Sequence, residues 1–237
     1  MFFDTNWQAL YRDRLNNADE VLRSVIENGN RIYIGSGCSE PQHLVRALVR
    51  MLECYQDLEL VQHLSLGALP QEWGVHASRC RLKTFFVGPK TRRAVTQGLA
   101  DYIPIPSSSI PRLFREEKTW ALDVCLIQVS PPDEHGFCSL GVGVDLNKSA
   151  ATSARVVVAQ VNNQMPRALG DTFLHVAQFH HLVEHDEPLL EIIHRERSAV
   201  AERIAKYIVQ LVDDGSTLQV GFGRVANSVL QIGRAHV

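Results

Sequence analysis

The residues best suited to chemistry lie in a loop that follows an apolar segment near the middle of the chain. The apolar run Leu122–Val129 leads into Ser130–Gly141, which combines a Pro-Pro-Asp turn with a glycine. Its reactive side chains are those of Ser130, Asp133, Glu134, His135 and Ser139. An acid, a histidine and two hydroxyl groups are the components of serine-based nucleophilic catalysis.

We nevertheless predict that this loop is architectural. Neither serine lies in a Gly-x-Ser-x-Gly elbow, the turn that exposes the nucleophile of many hydrolases, and adjacent residues of one loop seldom converge as a triad. Pro131, Pro132 and Gly136 instead predict a fixed backbone path along a ligand cleft. In this interpretation Ser130, Pro131 and Asp133 line the cleft without acting as catalysts.

Two glycine-containing turns follow other apolar runs. Gly35-Ser36-Gly37 follows Arg31–Ile34, and Gly221-Phe222-Gly223 follows Leu218–Val220. Backbone N–H groups at the start of a helix can bind a phosphate, a pyrophosphate or a developing oxyanion. For Gly221-Phe222-Gly223, a tight turn with no ligand is an equal alternative. Cys38 could be a nucleophile only if a histidine lay beside it. The favoured interpretation is that Cys38 is a small residue that packs beside the turn.

The densest group of metal-like side chains is found late in the chain and comprises His175, His180, His181, Glu184, His185 and Asp186. A zinc site needs a defined spacing, such as His-Glu-x-x-His on one helix face. Pro188 and the apolar residues around Leu182 indicate a strand instead, which holds His181 and His185 too far apart to share a small ion easily. We therefore predict no metal ligands here.

Apolar runs that alternate with helical segments predict a mostly parallel sheet with flanking helices. The expected strands are Arg31–Ile34, Leu58–Leu64, Leu82–Val87, Tyr102–Ile105, Leu122–Val129, Val156–Val161 and Leu218–Val220. The expected helices are Trp7–Glu27, a second from its N-cap at Ser39 to about Tyr55, and Ser198–Val212. Open sheets of this kind bind ligands at the carboxyl ends of their strands.

Composition argues against several classes of protein. The 237 residues can form one large or two small domains, and a net charge of −2 gives no basic surface for nucleic acid or an anionic membrane. The sequence contains no apolar run of transmembrane length and no signal-peptide pattern at its start. Five cysteines without a Cys-x-x-Cys pair fit thiols in a reducing compartment, so the cytoplasm is the expected location.

A series of short motifs also runs along most of the chain. They are Ser130-Pro131-Pro132-Asp133, Gly136, Ser139-Leu140-Gly141, Asn162, Met165-Pro166-Arg167, Gly170-Asp171-Thr172, His175-Val176 and the run DGSTLQVGFG from Asp214 to Gly223. In this order they resemble the acetyl-CoA hydrolase/transferase family, which includes acetate and 4-hydroxybutyrate CoA-transferases. The resemblance implies an α/β fold of the CoA-transferase (NagB/RpiA-like) type.

The resemblance also implies a reaction. In this family a glutamate carboxylate attacks an acyl-CoA thioester, and the mixed anhydride becomes a glutamyl-CoA thioester that passes CoA to a second carboxylate. Acyl-CoA and a short-chain carboxylate are then the substrates, no permanent cofactor is needed, and interception by water gives hydrolysis. The family's glutamate lies in a His-(Thr/Ser)-Glu motif expected just past Leu230, so no residue of this chain is named as catalytic.

The family's CoA site implies binding roles for specific residues of this chain. The implied CoA-binding residues are Gly221, Phe222, Gly223, Arg224 and Val225, and the implied cleft-lining residues at the first turn are Gly35, Ser36 and Gly37. Ala226 stands where the family usually has proline, which makes this loop less rigid. The resemblance leaves a homodimer open for the full-length protein.

The chain is expected to consist of three parts. Residues 1–185 are expected to form an N-terminal α/β domain and residues 186–230 the start of a second, truncated one. Residues 231–237 are expected to be a non-native tail, because Ile232–Val237 is the translation of ATC-GGA-AGA-GCA-CAC-GTC, which lies within a common sequencing adapter. A natural carboxyl terminus would require those codons, the junction and an in-frame stop to coincide by chance. The expected product is an inactive fragment.

Two other functions remain open. One is a non-catalytic module that binds CoA or a nucleotide, which a downstream His-Thr-Glu motif would argue against. The other is an NAD(P)-dependent enzyme, which needs Gly-x-Gly-x-x-Gly after the first strand. The sequence from Gly35 to Glu40 lacks the third glycine, and this alternative is weak.

Overall fold

The computed structural model, which describes residues 6–67, 78–192, 198–221 and 223–230, is built around a parallel sheet of seven strands. The strands, in their order across the sheet, are β4 (Ala100–Tyr102), β3 (Cys80–Thr84), β2 (Leu58–Gln62), β1 (Arg31–Ile34), β5 (Val124–Val129), β7 (Val156–Val161) and β9 (His181–Glu184). Every pairing in this sheet is parallel. The predicted α/β class with a mostly parallel sheet is confirmed.

Helices cover both faces of this sheet and form a three-layer arrangement. One face packs against α2 (Ala18–Val25), α3 (Gln42–Met51) and α4 (Arg92–Thr96), and the other against α1 (Trp7–Arg14), α5 (Ile110–Glu116) and α6 (Asn147–Ser153). Because both faces are covered, the central strands are apolar on both sides. In β5, Val124 and Leu126 face the first layer, whereas Cys125 and Ile127 face the second.

The single helix predicted over Trp7–Glu27 is wrong, because the chain forms two helices there. Leu15 leaves the helix to form an isolated parallel bridge with Leu182, and the Asn16 N–H donates to the Leu182 carbonyl at 2.9 Å. The Asn17 side chain then caps α2 by accepting the Asp19 N–H. The break lets α1 pack on one face of the sheet and α2 on the other.

A small antiparallel pair lies outside the main sheet. It joins β6 (Phe137–Ser139) to β8 (Phe173–His175), with Phe137 opposite His175. Both strands belong to the stretch that carries most of the family-like motifs.

Most predicted strands begin or end within a few residues of the observed ones, and Val156–Val161 coincides with β7. The predicted N-cap at Ser39 is wrong. Ser39 ends a 3-10 turn, Gly37–Ser39, and its hydroxyl donates to the Ser36 carbonyl, whereas Pro41 precedes α3.

The chain consists of two compact units, Met1–Leu190 and Glu191–Val237. The sequence placed the division after residue 185, and the domain limits stay a prediction. The second unit contains α7 (Ala199–Val209), capped by the Ser198 side chain, and α8 (Arg224–Val229). The predicted strand Leu218–Val220 is wrong: this segment forms no ladder, because a strand needs a hydrogen-bonded neighbour and the described residues supply none.

None of the helices within the described residues is long and apolar enough to cross a membrane. The predicted tail at residues 231–237 lies outside the described residues.

The centre of the sheet provides a test of the fold. Leu126 of β5 is fully buried between β1 and β7, so Leu126→Ala should lower the free energy of unfolding by about 2–5 kcal/mol through lost burial and a cavity. Leu169→Ala is the control, because Leu169 is 89% exposed and its truncation should cost less than about 0.5 kcal/mol. Urea unfolding of the two variants measures both values, and equal losses would contradict this assignment of the core.

Candidate functional site

The order of the strands creates a crevice between β1 and β5. From β1 the chain moves outward through β2, β3 and β4, then returns to β5 and continues outward through β7 and β9 in the opposite direction. The loops after β1 and β5 therefore diverge, and ligands of open α/β sheets bind at such a point. The sequence-predicted cleft residues lie there: Gly35, Ser36 and Gly37 after β1, and Ser130, Pro131 and Asp133 after β5.

The turn after β1 is tied to its neighbours by its glycine amides. The Gly35 N–H donates to the Leu126 carbonyl and the Gly37 N–H to the Leu64 carbonyl, both at 2.8 Å. These two amides thus hold the turn between β5 and the segment after β2, rather than pointing at a ligand. Cys38 lies in the 3-10 turn that follows and is partly exposed.

The Ser130–Gly141 loop is held by its own polar side chains. The Ser130 hydroxyl accepts the Ser139 N–H at 2.9 Å, and the Asp133 carboxylate accepts the N–H groups of His135 and Phe137 at 3.0 and 2.9 Å. Gly136 has a φ of +82°, and a Cβ there would lie 2.8 Å from the rings of His175 and Trp7. These contacts support the architectural interpretation of the loop.

Arg167 closes this loop with a fork of hydrogen bonds. Its Nη1 donates to the Ser130 hydroxyl and to the carbonyls of Pro131 and Phe137 at 3.0–3.1 Å, and its Nη2 donates to the Asp133 carboxylate at 2.8 Å. The planar guanidinium can satisfy several acceptors in one plane. The sequence marked Arg167 only as part of a family-like motif, not as the residue that fixes the loop.

A group of buried polar side chains lies beneath the carboxyl edge of the sheet, and sequence reasoning missed it. We call it the carboxyl-edge network; its members are Glu40, Gln62, Gln128, Gln160, Asn162 and Glu187. The first five are no more than 1% exposed. The available signal was a glutamine at or near the end of three mostly apolar strands, where a buried amide needs partners.

Glu40 joins the turns after β1 and β2. One oxygen of its carboxylate accepts the N–H groups of Leu66 and Gly67 at 3.3 and 3.2 Å and the Gln62 side-chain amide at 3.1 Å. The same Gln62 amide donates to the Gly35 carbonyl at 3.3 Å. A buried carboxylate that accepts several N–H groups is compensated for the loss of water.

Glu187 connects two other members of the network, Gln160 and Asn162, to helix α3. Its carboxylate accepts the His43 N–H and the Gln160 side-chain amide, both at 2.9 Å, and forms an ion pair with Arg46 at 2.6 Å. Asn162 donates to the Glu187 carbonyl at 2.7 Å and to the Gln128 side chain at 2.8 Å. Burial alone would raise the pKa of Glu187, but hydrogen bonds from Arg46 and Gln160 outweigh it, so this pKa lies below its usual value.

The histidines of the metal-like cluster have separate partners. The predicted strand is confirmed as β9, and the His185 ring stacks on His43 with centroids 3.8 Å apart. The His180 ring accepts the Val157 N–H, and the His175 ring accepts the Ala177 N–H. Within the described ranges, no three His, Cys, Asp or Glu side chains are placed to hold a metal ion.

The second glycine turn belongs to the second unit. Gly223 has a φ of +146°, which favours glycine, and it directly precedes α8, where Arg224 is exposed and Val225 partly buried. Gly221 is exposed, and Phe222 lies outside the described residues. The binding roles of these five residues stay a prediction.

Comparison with known proteins identifies one family. Residues 4–194 match the model of the acetyl-CoA hydrolase/transferase N-terminal domain. The 4-hydroxybutyrate coenzyme A transferase of Clostridium kluyveri is 40% identical over 94% of this chain and 52% of its own length. The succinyl-CoA:acetate/propanoyl-CoA:succinate CoA transferase of Fasciola hepatica is 36% identical over 91% of this chain and 45% of its own length.

The fold agrees with that of a solved relative. The crystal structure of 4-hydroxybutyrate CoA-transferase from Porphyromonas gingivalis superposes with a TM-score of 0.80 at 31% identity, covering 98% of this chain and 54% of that one. The chain thus spans about half the length of the curated relatives it matches.

The ion pair of Glu187 predicts a pH-dependent stability. Its lowered pKa means that the carboxylate stabilises the fold above the unfolded-state pKa of about 4.3, and that this contribution disappears as the pH falls through the folded-state value. Glu187→Gln should therefore cost about 1–3 kcal/mol in free energy of unfolding at pH 7, and progressively less below pH 4.

Urea unfolding at a series of pH values measures this difference. Glu53→Gln, at an exposed position, is the control and should show little difference at any pH. A loss for Glu187→Gln that stays constant down to pH 3 would contradict the assignment.

The fork of Arg167 gives a second prediction. Arg167→Lys keeps the charge but cannot reach all four acceptors, so the free energy of unfolding should fall by about 1–3 kcal/mol. Hydrogen exchange at the amides of Phe137 and Ser139 should become faster. Arg12→Lys, on an exposed part of α1, is the matched control, and unchanged exchange in both variants would show that the loop does not depend on the fork.

Proposed function

Because the chain belongs to the acetyl-CoA hydrolase/transferase family, we propose that it is the N-terminal part of an acyl-CoA:carboxylate CoA-transferase. The observation that carries the proposal is the family match over residues 4–194, joined to a sheet whose crevice lies between β1 and β5. The two curated relatives named above are CoA transferases by name, one of 4-hydroxybutyrate and one of succinyl-CoA with acetate and of propanoyl-CoA with succinate.

The proposed reaction proceeds through a glutamyl-CoA thioester on a residue beyond Leu230. The glutamate carboxylate attacks the thioester carbonyl and CoA thiolate leaves. The thiolate then attacks the glutamyl carbonyl of the mixed anhydride, which releases the first carboxylate and leaves the glutamyl-CoA thioester. A second carboxylate attacks this thioester and expels CoA thiolate, which attacks the acyl carbonyl of the new anhydride to give the new acyl-CoA and the free glutamate. Substrates are short acyl-CoA thioesters and carboxylates such as acetate, propionate, butyrate or 4-hydroxybutyrate. No permanently bound cofactor takes part, and the cytoplasm is the proposed location.

In this proposal the residues of this chain bind and orient substrate. The turns after β1 and β5 form two walls of the crevice; Arg167 fixes the turn after β5, and Glu40 fixes the neighbouring turn after β2. A fixed wall reduces the entropy lost when a substrate is aligned with its nucleophile. Gly221, Phe222, Gly223, Arg224 and Val225 are proposed to bind CoA.

Hydrolysis is the alternative outcome of the same intermediate. It requires water, rather than a carboxylate, to attack the anhydride or the thioester. Product analysis distinguishes the two, because transfer yields a new acyl-CoA and hydrolysis yields free CoA.

The proposal predicts that activity depends on sequence beyond Leu230. The 237-residue chain should show no CoA transfer from acetyl-CoA to a carboxylate, whereas a gene extended to the full length of its relatives should encode an active enzyme. Borohydride added with acetyl-CoA should trap a modified glutamate in the His-(Thr/Ser)-Glu motif, and Glu→Gln there should lower the rate at least about a thousandfold.

Two results would contradict this proposal. One is turnover by the 237-residue chain comparable to that of the extended protein. The other is an extended protein that folds but neither exchanges CoA nor traps a glutamate.

A further inference from the structure

Three side chains from separate segments meet at the carboxyl edge of the sheet. His63 directly follows β2, Ser107 lies beyond β4, and Asp145 precedes α6. None of them belongs to the Ser130–Gly141 loop, in which a serine, a histidine and an acid were first considered together.

Their arrangement has the order of a nucleophile, a base and an orienting acid. The His63 Nε2 lies within hydrogen-bond distance of the Ser107 hydroxyl oxygen, at 3.2 Å, and the His63 Nδ1 lies 3.6 Å from an Asp145 carboxylate oxygen, which is within ion-pair distance but longer than a hydrogen bond. With its proton on Nδ1, facing Asp145, the ring presents the lone pair of Nε2 to the Ser107 hydroxyl. Contacts of this kind are often longer without substrate and shorten when it binds.

The base is held through its backbone N–H. This group donates to the Ser36 hydroxyl at 3.1 Å. The edge of the ring packs near Phe86, with centroids 6.3 Å apart. The His63 side chain is 21% exposed, so it is fixed in position and still accessible from solvent.

The serine is exposed and lies on a defined turn. Ser107 begins the 3-10 turn Ser107–Ser109, in which the Ser109 N–H donates to the Pro106 carbonyl at 2.8 Å. Pro106 restricts the backbone before it. Through the hydrogen bond from the His63 N–H to Ser36, the histidine adjoins the turn after β1, which forms one wall of the crevice.

We propose that Ser107, His63 and Asp145 form an acyl-transfer site that acts on short acyl thioesters and activated esters. Ser107 is the nucleophile, His63 is the general base, and Asp145 is a positioning residue that keeps the ring in the required tautomer. The proposal uses only residues of this chain and does not depend on the glutamate chemistry proposed above.

The proposed reaction has two steps. The Ser107 oxygen forms a bond to the acyl carbon as its proton passes to the His63 Nε2, then the carbon–sulfur bond breaks and the thiolate takes that proton. Water then attacks the acyl-serine with His63 as base, the bond from the Ser107 oxygen to the acyl carbon breaks, and the proton returns to Ser107. The products are a thiol and a carboxylic acid.

A fluorophosphonate probe tests the site directly, because it reacts with a serine activated by a histidine. The 237-residue chain is incubated with the probe, and the adduct is located by peptide mass spectrometry. We expect one adduct, on Ser107, which Ser107→Ala abolishes. His63→Gln should slow labelling at least about a hundredfold and Asp145→Asn at least about tenfold, whereas Ser108→Ala, at the adjacent exposed serine, should leave the rate unchanged.

Circular dichroism and the thermal midpoint establish that each variant is folded. If His63→Gln unfolds, Asp145→Asn and the two serine variants decide the question. Absence of labelling in the folded parent chain, an adduct on another serine, or a rate unaffected by the His63 and Asp145 substitutions would overturn the proposal. CoA transfer by the extended protein is measured separately, so failure of one proposal leaves the other to be judged independently.

Discussion

The parallel pairing of β1 with β5 is the constraint on which the rest of the molecule depends. It aligns Ile34 with Leu126 at the centre of the sheet and makes the following turns leave in opposite directions. Because every strand of this sheet is parallel, all turns that follow strands lie at one edge. Polar side chains from β2, β5 and β7 can therefore meet there without any of them being close in sequence.

Burial of polar groups at that edge imposes a second constraint. The Gln128 side chain accepts hydrogen bonds from Gln160 and Asn162 and donates one to the Glu40 carbonyl. Its amide therefore connects Glu40 to the members of the carboxyl-edge network that contact Glu187. An unpaired buried amide costs about 1–3 kcal/mol. Removal of one member therefore leaves partners unsatisfied as well, and such networks specify one arrangement of the strand ends.

Parts of this structure could be predicted from sequence because they follow from local pattern. Val156–Val161 is an uninterrupted apolar run, and it forms β7 with the predicted limits. Trp7–Glu27 is helical by pattern throughout, but the pairing of Leu15 with Leu182 interrupts it, and that partner is distant in sequence. His63, Ser107 and Asp145 show no common motif, because the order of the strands alone brings them together.

The groups that hold the turns of the site in place are largely different from the side chains that would contact a substrate. Glu40 and Arg167 bind backbone groups of the turns, namely the N–H groups of Leu66 and Gly67 and the carbonyls of Pro131 and Phe137, and Arg167 also binds the side chains of Ser130 and Asp133. Every residue type supplies a carbonyl and every type but proline supplies an N–H, so side chains other than those of Ser130 and Asp133 can change while the walls stay in place. Acyl specificity can then differ among relatives of one fold, since function lies in the site rather than in the fold.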